Sequence, residues 1–405
     1  MANIILTTMG TGGDVFPYIT IGAALKARGH RVVLLTHSYY SDVARDAGVN
    51  FEAIDSLEES ERMMRDGPLL NTPKSLLAFL DCHILPKIPI EIELIRKHYL
   101  PGETVLVARS GPGFAARMAA ELMPMPLVSI FMTPADVLGL TLVEQLVNLS
   151  IGSRLNEFRR QLDLPVVERW EPWLRYQTGI GLWPDWYCSS DSTWKCEPRL
   201  AGFILSDDPA QGVVEDSLLQ IMRSDRPVVL ITGGTGVFGG SNFFEATIEA
   251  GRLAGCRVLV VSRHRELLPP RLPEDCFYFP RVPSLGAVMP HVSAICHHGG
   301  MGTIGQAIAA GIPQLISGAG GDRPDNAARL KAMGCAESVP PRQLTPERVA
   351  AALSYLMSSE AVRRCCQSLS ARFRETSPVD LVCRVIEEAG RVGSQGSSRN
   401  ANKAR

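Results

Sequence analysis

AICHHGGMGTIGQAIAAGIP, residues 294–313, sets a short apolar run, two histidines and a glycine turn directly ahead of a helical pattern. Inside it GMGTIG (300–305) reproduces the letters G-x-G-x-x-G. That spacing marks a dinucleotide fold when the turn follows the first strand of a βαβ unit and an acid ends the second strand. Here the run before the turn is the fourth of its half of the chain. The next acid, Asp322, stands in a loop four residues past the following run, PQLISG (313–318). The first run of the chain leads into GTGGDV (10–15), whose glycines have the wrong spacing. An NAD-dependent oxidoreductase is therefore disfavoured.

The same residues suit a phosphate. Glycines after a strand let the backbone come close to an anion, and TIGQAIAAG (303–311) starts a helix there. Its first-turn N–H groups and its dipole then face negative charge. His297 or His298 adds a donor that is neutral or cationic as needed. The expected object is a diphosphate cradle.

Working outward, 405 residues are too many for one ordinary core and suit two domains of about 200. A net charge of −1 with basic residues spread along the chain supplies no field for nucleic acid or acidic lipid. Apolar runs at 3–9, 31–37, 104–110 and 125–133 alternate with helical patterns, which is the grammar of a parallel sheet covered on both faces. It restarts at 226–236, 257–262, 277–282, 292–297 and 313–318. Residues 57–100, punctuated by Pro73, Pro86, Pro89 and Pro101, read as short helices inserted over the carboxyl edge of the first sheet. All five tryptophans fall within 160–200 and read as aromatics wedging a domain edge. The expected division is a domain over 1–205, a linker over 206–225, a domain over 226–389 with helices at 345–357 and 360–389, and a disordered tail over 390–405.

No apolar run approaches the roughly 18 residues of a membrane helix, and MANIILTTMG enters a strand without a basic leader. Ten cysteines show no C-x-x-C spacing and read as reduced, mostly buried thiols. The expectation is a cytoplasmic protein without a transmembrane segment, with peripheral membrane contact and oligomeric state left open.

HHGGMGT (297–303), AIAAGIPQL (307–315) and GDRPDNAARL (321–330), in that order, resemble the donor signature of the family 1 nucleotide-sugar glycosyltransferases. TTMGTGGDVFPYITIGAALKARGHRV (7–32) resembles their bacterial branch, which includes sterol glucosyltransferases, glycopeptide-antibiotic transferases and the rhamnolipid-forming rhamnosyltransferase. GLWPDWYCSS (181–190) and AGFIL (201–205) look most like the last of these. The resemblance implies an α/β fold of two Rossmann-like, doubly wound parallel-sheet domains facing across a cleft (GT-B). The first would bind the acceptor and the second the nucleotide sugar. It implies that His298, or His297 if the register slips by one, donates to the diphosphate, with Gly300, Gly302 and Thr303 supplying the helix start. Gly234, Thr235 and Gly236 would close the cradle, and Arg281 and Val282 fall where the family holds the base. Gln306 stands where many relatives carry a ribose-binding Glu. Asp322 matches the sugar-binding acid, followed by Arg323 where the family usually has Gln.

Asp14 lies in the turn after the first strand, where doubly wound sheets place ligands. The resemblance implies a general base; an Asp at a helix start is also an ordinary cap. No D-x-D carboxylate pair occurs in the chain. The reaction implied is therefore a direct, inverting displacement with no metal and no cofactor, a UDP- or dTDP-sugar being the co-substrate. The acceptor is expected to be a small lipophilic alcohol, walled by 57–100, 108–113 and 133–151. The alternatives are a sugar-nucleotide epimerase of the same architecture and a non-catalytic nucleotide-binding activator of a partner transferase.

Overall fold

In the computed structural model every one of those apolar runs contains a strand. The structure describes residues 1–401 apart from 68–72, 112, 193, 195, 206–213, 238–239, 283 and 376; for 73–74 and 393–401 it describes the backbone alone. The strands are β1 (Asn3–Thr7), β2 (Arg31–Thr36), β3 (Asn50–Ala53), β4 (Thr104–Arg109), β5 (Leu127–Phe131), β6 (Thr178–Gly181) and β7 (Arg199–Leu200) in one sheet. The second sheet holds β8 (Val228–Thr232), β9 (Arg257–Val261), β10 (Cys276–Phe279), β11 (Ala294–His297), β12 (Gln314–Ile316) and β13 (Ala336–Ser338). All pairings are parallel, as unbroken burial of runs such as NIILT and VVLIT requires. The chain is a doubly wound α/β protein with two sheets.

Strand order sets where a ligand can sit. The first sheet runs β3-β2-β1-β4-β5-β6-β7 and the second β10-β9-β8-β11-β12-β13. In each, the chain winds outward from its first strand, then returns to that strand's other side. The turns leaving β1 and β4, and those leaving β8 and β11, therefore open a crevice at the carboxyl edge.

Several boundaries differ from the expectation. The compact units are Met1–Met64, Pro73–Ile204 and Ser377–Arg405 on one side, and Arg65–Thr72 with Leu205–Thr376 on the other. The last helix, Pro378–Ala401, thus belongs to the first unit, where 377–389 had been expected to close the second and 390–405 to be disordered. The physical reason is an apolar stripe, Val382, Cys383, Val385 and Ile386, buried by the first unit. Arg28 fixes it with a two-pronged bond to Glu387 at 2.8 and 3.0 Å. Of the expected linker, 206–213 lies outside the described residues, while Asp216–Met222 is a helix whose Leu218 and Met222 enter the second unit's core. The strands not anticipated, β3, β6, β7 and β13, have two to four residues, too few to display a period.

The tryptophan segment packs partly as expected, with Trp170, Trp183 and Trp194 buried, and it also supplies β6 and β7. The prolines of 57–100 divide short helices that end in Ile88–His98. That helix buries Glu91 to 2% exposure, where Oε1 accepts from Thr7 Oγ1 at 2.6 Å. No described helix is long and apolar enough to cross a membrane. All ten cysteines are free thiols, seven of them buried.

Burial pushes the Glu91 carboxyl up from 4.5 to about 7, and the Thr7 bond offsets only part of the rise. A raised folded value means that this stability is full below pH 4.5 and is lost as pH rises towards 7. Glu91→Gln keeps the acceptor for Thr7 and cannot ionise. Thermal melts should show it near neutral at low pH and stabilising by about 1–3 kcal/mol at pH 8. A difference that stayed constant across that range would contradict a buried, strained carboxylate.

Candidate active site

The glycine turn of the second unit is organised around one imidazole. β8 ends at Thr232 beside His297, the last residue of β11, so the turns that follow them are neighbours. A Cβ on Gly234 would stand 2.5 Å from the His298 Cε1, and one on Gly300 would stand 2.6 Å from its Nε2. The ring of His298 is held against two backbones that carry no side chain. Gly234 also needs φ +78, which L side chains rarely adopt, and its N–H is held by Thr232 Oγ1 at 3.2 Å.

The helix after the turn, Met301–Ala310, starts from Gly300 in extended conformation. A Cβ on Gly302 would meet nothing within 4 Å, so packing does not demand a glycine there. Its absence leaves the first-turn backbone of the helix bare towards open space. Thr303 is half-buried in the same turn, and Gln306, one turn on, is buried.

His297 and His298 have separate duties. His297 is fully buried; its Nδ1 accepts from the Gly299 N–H at 3.1 Å and its Nε2 meets Gln314 Oε1 at 3.0 Å. Both ring nitrogens are spent inside the fold, and burial lowers its pKa to about 4. It pins the turn from behind. His298 is lowered well below 6.5, by burial first and then by the nearby His297 and Arg323. It is a neutral ring at the helix start.

The loop after β12 closes the far side. The β-carbon of Arg323 packs 2.7 Å from where a Cβ on Gly318 would lie, and its guanidinium donates to the Ala319 carbonyl. Asp322 Oδ2 accepts from Asn326 Nδ2 at 2.7 Å, and the same amide donates to the Gly299 carbonyl at 3.0 Å. Asn326 thus ties the Asp322 loop to the histidine turn. Arg281 is exposed and Val282 packs against the second unit's core, both just past β10, two strands from β8. That spacing is about 10 Å, so the structure does not bring them into the His298 cluster.

In the first unit Asp14 sits at the crevice between β1 and β4. Its Oδ1 meets Arg109 Nη1 at 2.8 Å and its Oδ2 accepts from the Thr11 N–H at 2.8 Å. Thr11 is the N-cap of the Gly12–Ala27 helix, and Asp14, the third residue of that helix, completes its capping box by accepting from the Thr11 backbone. The carboxylate remains about one-fifth exposed. Asp14 therefore caps a helix and also faces the carboxyl edge.

Residues 249–387 match the family model described as erythromycin biosynthesis protein CIII-like, C-terminal domain, and residues 4–85 match the glycosyltransferase family 28 N-terminal domain. O-mycaminosyltylonolide 6-deoxyallosyltransferase of Streptomyces fradiae is 28% identical over 95% of this chain and 97% of its own. A sterol 3-beta-glucosyltransferase of Arabidopsis thaliana is 24% identical over 88% of this chain, which spans 63% of that protein. The chain is a glycosyltransferase with the GT-B fold. Among solved structures, the glycotransferase of kitacinnamycin shares this fold with a TM-score of 0.76 and 19% identity, over 96% of this chain and 99% of that one. The glycosyltransferase VinC, solved with dTDP, gives 0.70 and 18% over 96% and 99%.

In this transferase three site residues were not singled out from sequence. Asn326 lies inside the quoted GDRPDNAARL run, where its register with Asp322 was the available signal. Arg109 ends β4, and only the sheet order brings it to Asp14. Ser317, at the end of β12, has a buried hydroxyl without a hydrogen-bond partner among the described residues. Nothing in the sequence marked it.

The clamped ring makes a quantitative prediction. Gly300→Ala should cost about 1–3 kcal/mol, because the new methyl overpacks the His298 ring. In a His298→Ala background most of that penalty should disappear, leaving the smaller loss at the N-cap. Denaturant titration of the two single variants and the double variant gives the coupling. Additive costs would contradict the contact.

Proposed function

We propose that this transferase moves a sugar from a UDP- or dTDP-sugar to a hydroxyl of a small lipophilic acceptor, inverting the anomeric carbon without a metal ion. The observation that carries this reading is the neutral His298 ring held beside a helix start whose first turn is bare at Gly302. Amide donors and the helix dipole stabilise charge that develops on a departing diphosphate, and they are already in place before it forms. VinC was solved with dTDP, which favours that nucleotide for the donor. The relatives named for a sterol and for O-mycaminosyltylonolide favour a bulky, largely apolar acceptor. The sequence patterns that led to a cytoplasmic expectation are kept in this reading; cell fractionation tests it, and recovery with the membranes in high salt would oppose it.

The chemistry divides between the units. Asp14 takes the proton of the acceptor hydroxyl while the oxygen attacks the anomeric carbon. The bond from that carbon to the diphosphate breaks, and the electron pair goes to the leaving oxygen. His298, Thr303 and the amides near Gly302 receive that charge. Thr11 and Arg109 each occupy one oxygen of Asp14. A carboxylate offers about four lone-pair sites, so both bonds leave room for a proton. Gly234, Thr235 and Gly236 close the diphosphate side, Gln306 and the Arg281–Val282 segment take the nucleoside, and Asp322 and Arg323 take the sugar hydroxyls. A guanidinium at 323 reads those hydroxyls as a fixed donor fork.

Two variants separate the roles, using UDP- and dTDP-hexoses with sterol and macrolactone acceptors. His298→Ala should weaken dTDP or UDP binding and lower kcat by about 100- to 1,000-fold. Asp14→Asn should leave calorimetric binding of the diphosphate within about twofold and abolish turnover. Unchanged binding in the first variant, or near-normal turnover in the second, removes that residue from its role. Excess EDTA should not slow the reaction, and NMR of the product should show the opposite anomer to the donor. Activity restored only by magnesium, or a retained anomer, would contradict the displacement described.

A further inference from the structure

The turn that carries Asp14 is held from behind by a buried pair that the proposed mechanism does not use. His37, one residue past β2, is 1% exposed. Its Nε2 accepts from the Gly10 N–H at 3.0 Å, and its Nδ1 meets Asp55 Oδ2 at 2.5 Å. Because Nε2 accepts, the ring proton sits on Nδ1 and points to Asp55. One imidazole thus uses its lone pair towards the turn and its proton towards the carboxylate.

Asp55 follows β3 and is equally enclosed, its side chain 2% exposed. Its Oδ1 accepts from the Ser38 N–H at 2.9 Å and from Ser60 Oγ at 3.0 Å. Burial alone would raise this carboxyl, yet the bonds from His37, Ser38 and Ser60 outweigh it and hold it below the usual range. A fully bonded carboxylate fixes the tautomer and orientation of its histidine. His37 is therefore presented to Gly10 with its acceptor in one place.

Gly10 stands directly under the functional carboxylate. Its φ is +140, and a Cβ on it would fall 2.2 Å from Asp14 Oδ2. The adjoining Thr11 N–H is the donor that holds this same oxygen, at 2.8 Å. Moving the Gly10 amide must therefore move the Thr11 amide and the carboxylate with it. The connection runs from Asp55 through His37 and two successive amides to Asp14, and each step is a short bond or a van der Waals contact.

We infer that His37, oriented by Asp55, is a positioning residue that sets the Gly10–Thr11 turn and so aims the Asp14 carboxylate. The inference rests on the reading of Asp14 as the base. It assigns His37 no contact with donor or acceptor, so its removal lowers kcat and leaves diphosphate binding in the other unit alone.

The test compares His37→Leu, His37→Gln and Asp14→Asn on the best donor and acceptor pair from the panel above. Gln reaches the Nε2 position and restores an acceptor for Gly10; Leu has none. His37→Leu should lose about 100-fold in kcat, the cost of misplacing a reacting group by about 1 Å, with the donor KM within about twofold. His37→Gln should recover most of the loss. If Asp14→Asn is inactive but His37→Leu keeps wild-type kcat, or His37→Gln is as impaired as His37→Leu, the positioning role is overturned and the base reading stands. If Asp14→Asn turns over normally, the base reading falls and the inference falls with it. Should His37→Leu not fold, nitrogen-15 NMR of the wild-type chain decides. A proton on Nδ1 with scalar coupling between the Gly10 amide and Nε2 supports the contact, and a proton on Nε2 overturns it.

Discussion

One imidazole against two glycines orders the second unit. The His298 ring fits only because neither Gly234 nor Gly300 has a side chain, and both residues lie in turns that leave adjacent strands. The parallel order β8-β11 makes those turns neighbours. His297, bonded to Gln314 and Gly299, keeps the second turn from relaxing. In the proposed reading, a site built this way costs little reorganisation when a diphosphate arrives. Burial keeps both histidines neutral near pH 7.

The first unit repeats the topology with a different electrostatic solution. Its crevice lies between β1 and β4, and there an acid and a guanidinium are paired at 2.8 Å. Donors concentrate at one switch point and a carboxylate at the other. The proposed displacement, in which one partner loses a proton and the other departs as an anion, uses that division. In both units buried residues behind the reacting face hold the turn, Asn326 in one and His37 in the other. Both are buried, and each fixes a backbone group on which a proposed functional side chain depends.

The strands were legible because parallel strands buried on both faces appear as unbroken apolar runs closed by glycine. The histidine turn was legible for a related reason, since few contexts place two histidines, a glycine turn and a helix start in succession. What escaped has physical causes. Asp14, in the helix that follows β1, and Arg109, at the end of β4, are far apart in sequence, and strand order is not written in local pattern. The His297 and His298 alternatives could not be separated without knowing which ring faces Gln314. β6 and β7 are too short to show a period, and the tryptophans around them drew the reading towards aromatic packing. The last helix was placed with its sequence neighbours, because amphipathic spacing tells that a helix packs but not against which sheet.

The central claim is that the helix start at Met301, with His298 beside it, binds a diphosphate. Diffraction from crystals soaked with dTDP or UDP tests it most directly. The account predicts phosphate density capping the Met301–Ala310 helix, within hydrogen-bond distance of a His298 ring nitrogen and of the amides near Gly302. Density for the nucleotide elsewhere, with that helix start vacant at saturating ligand, would contradict it.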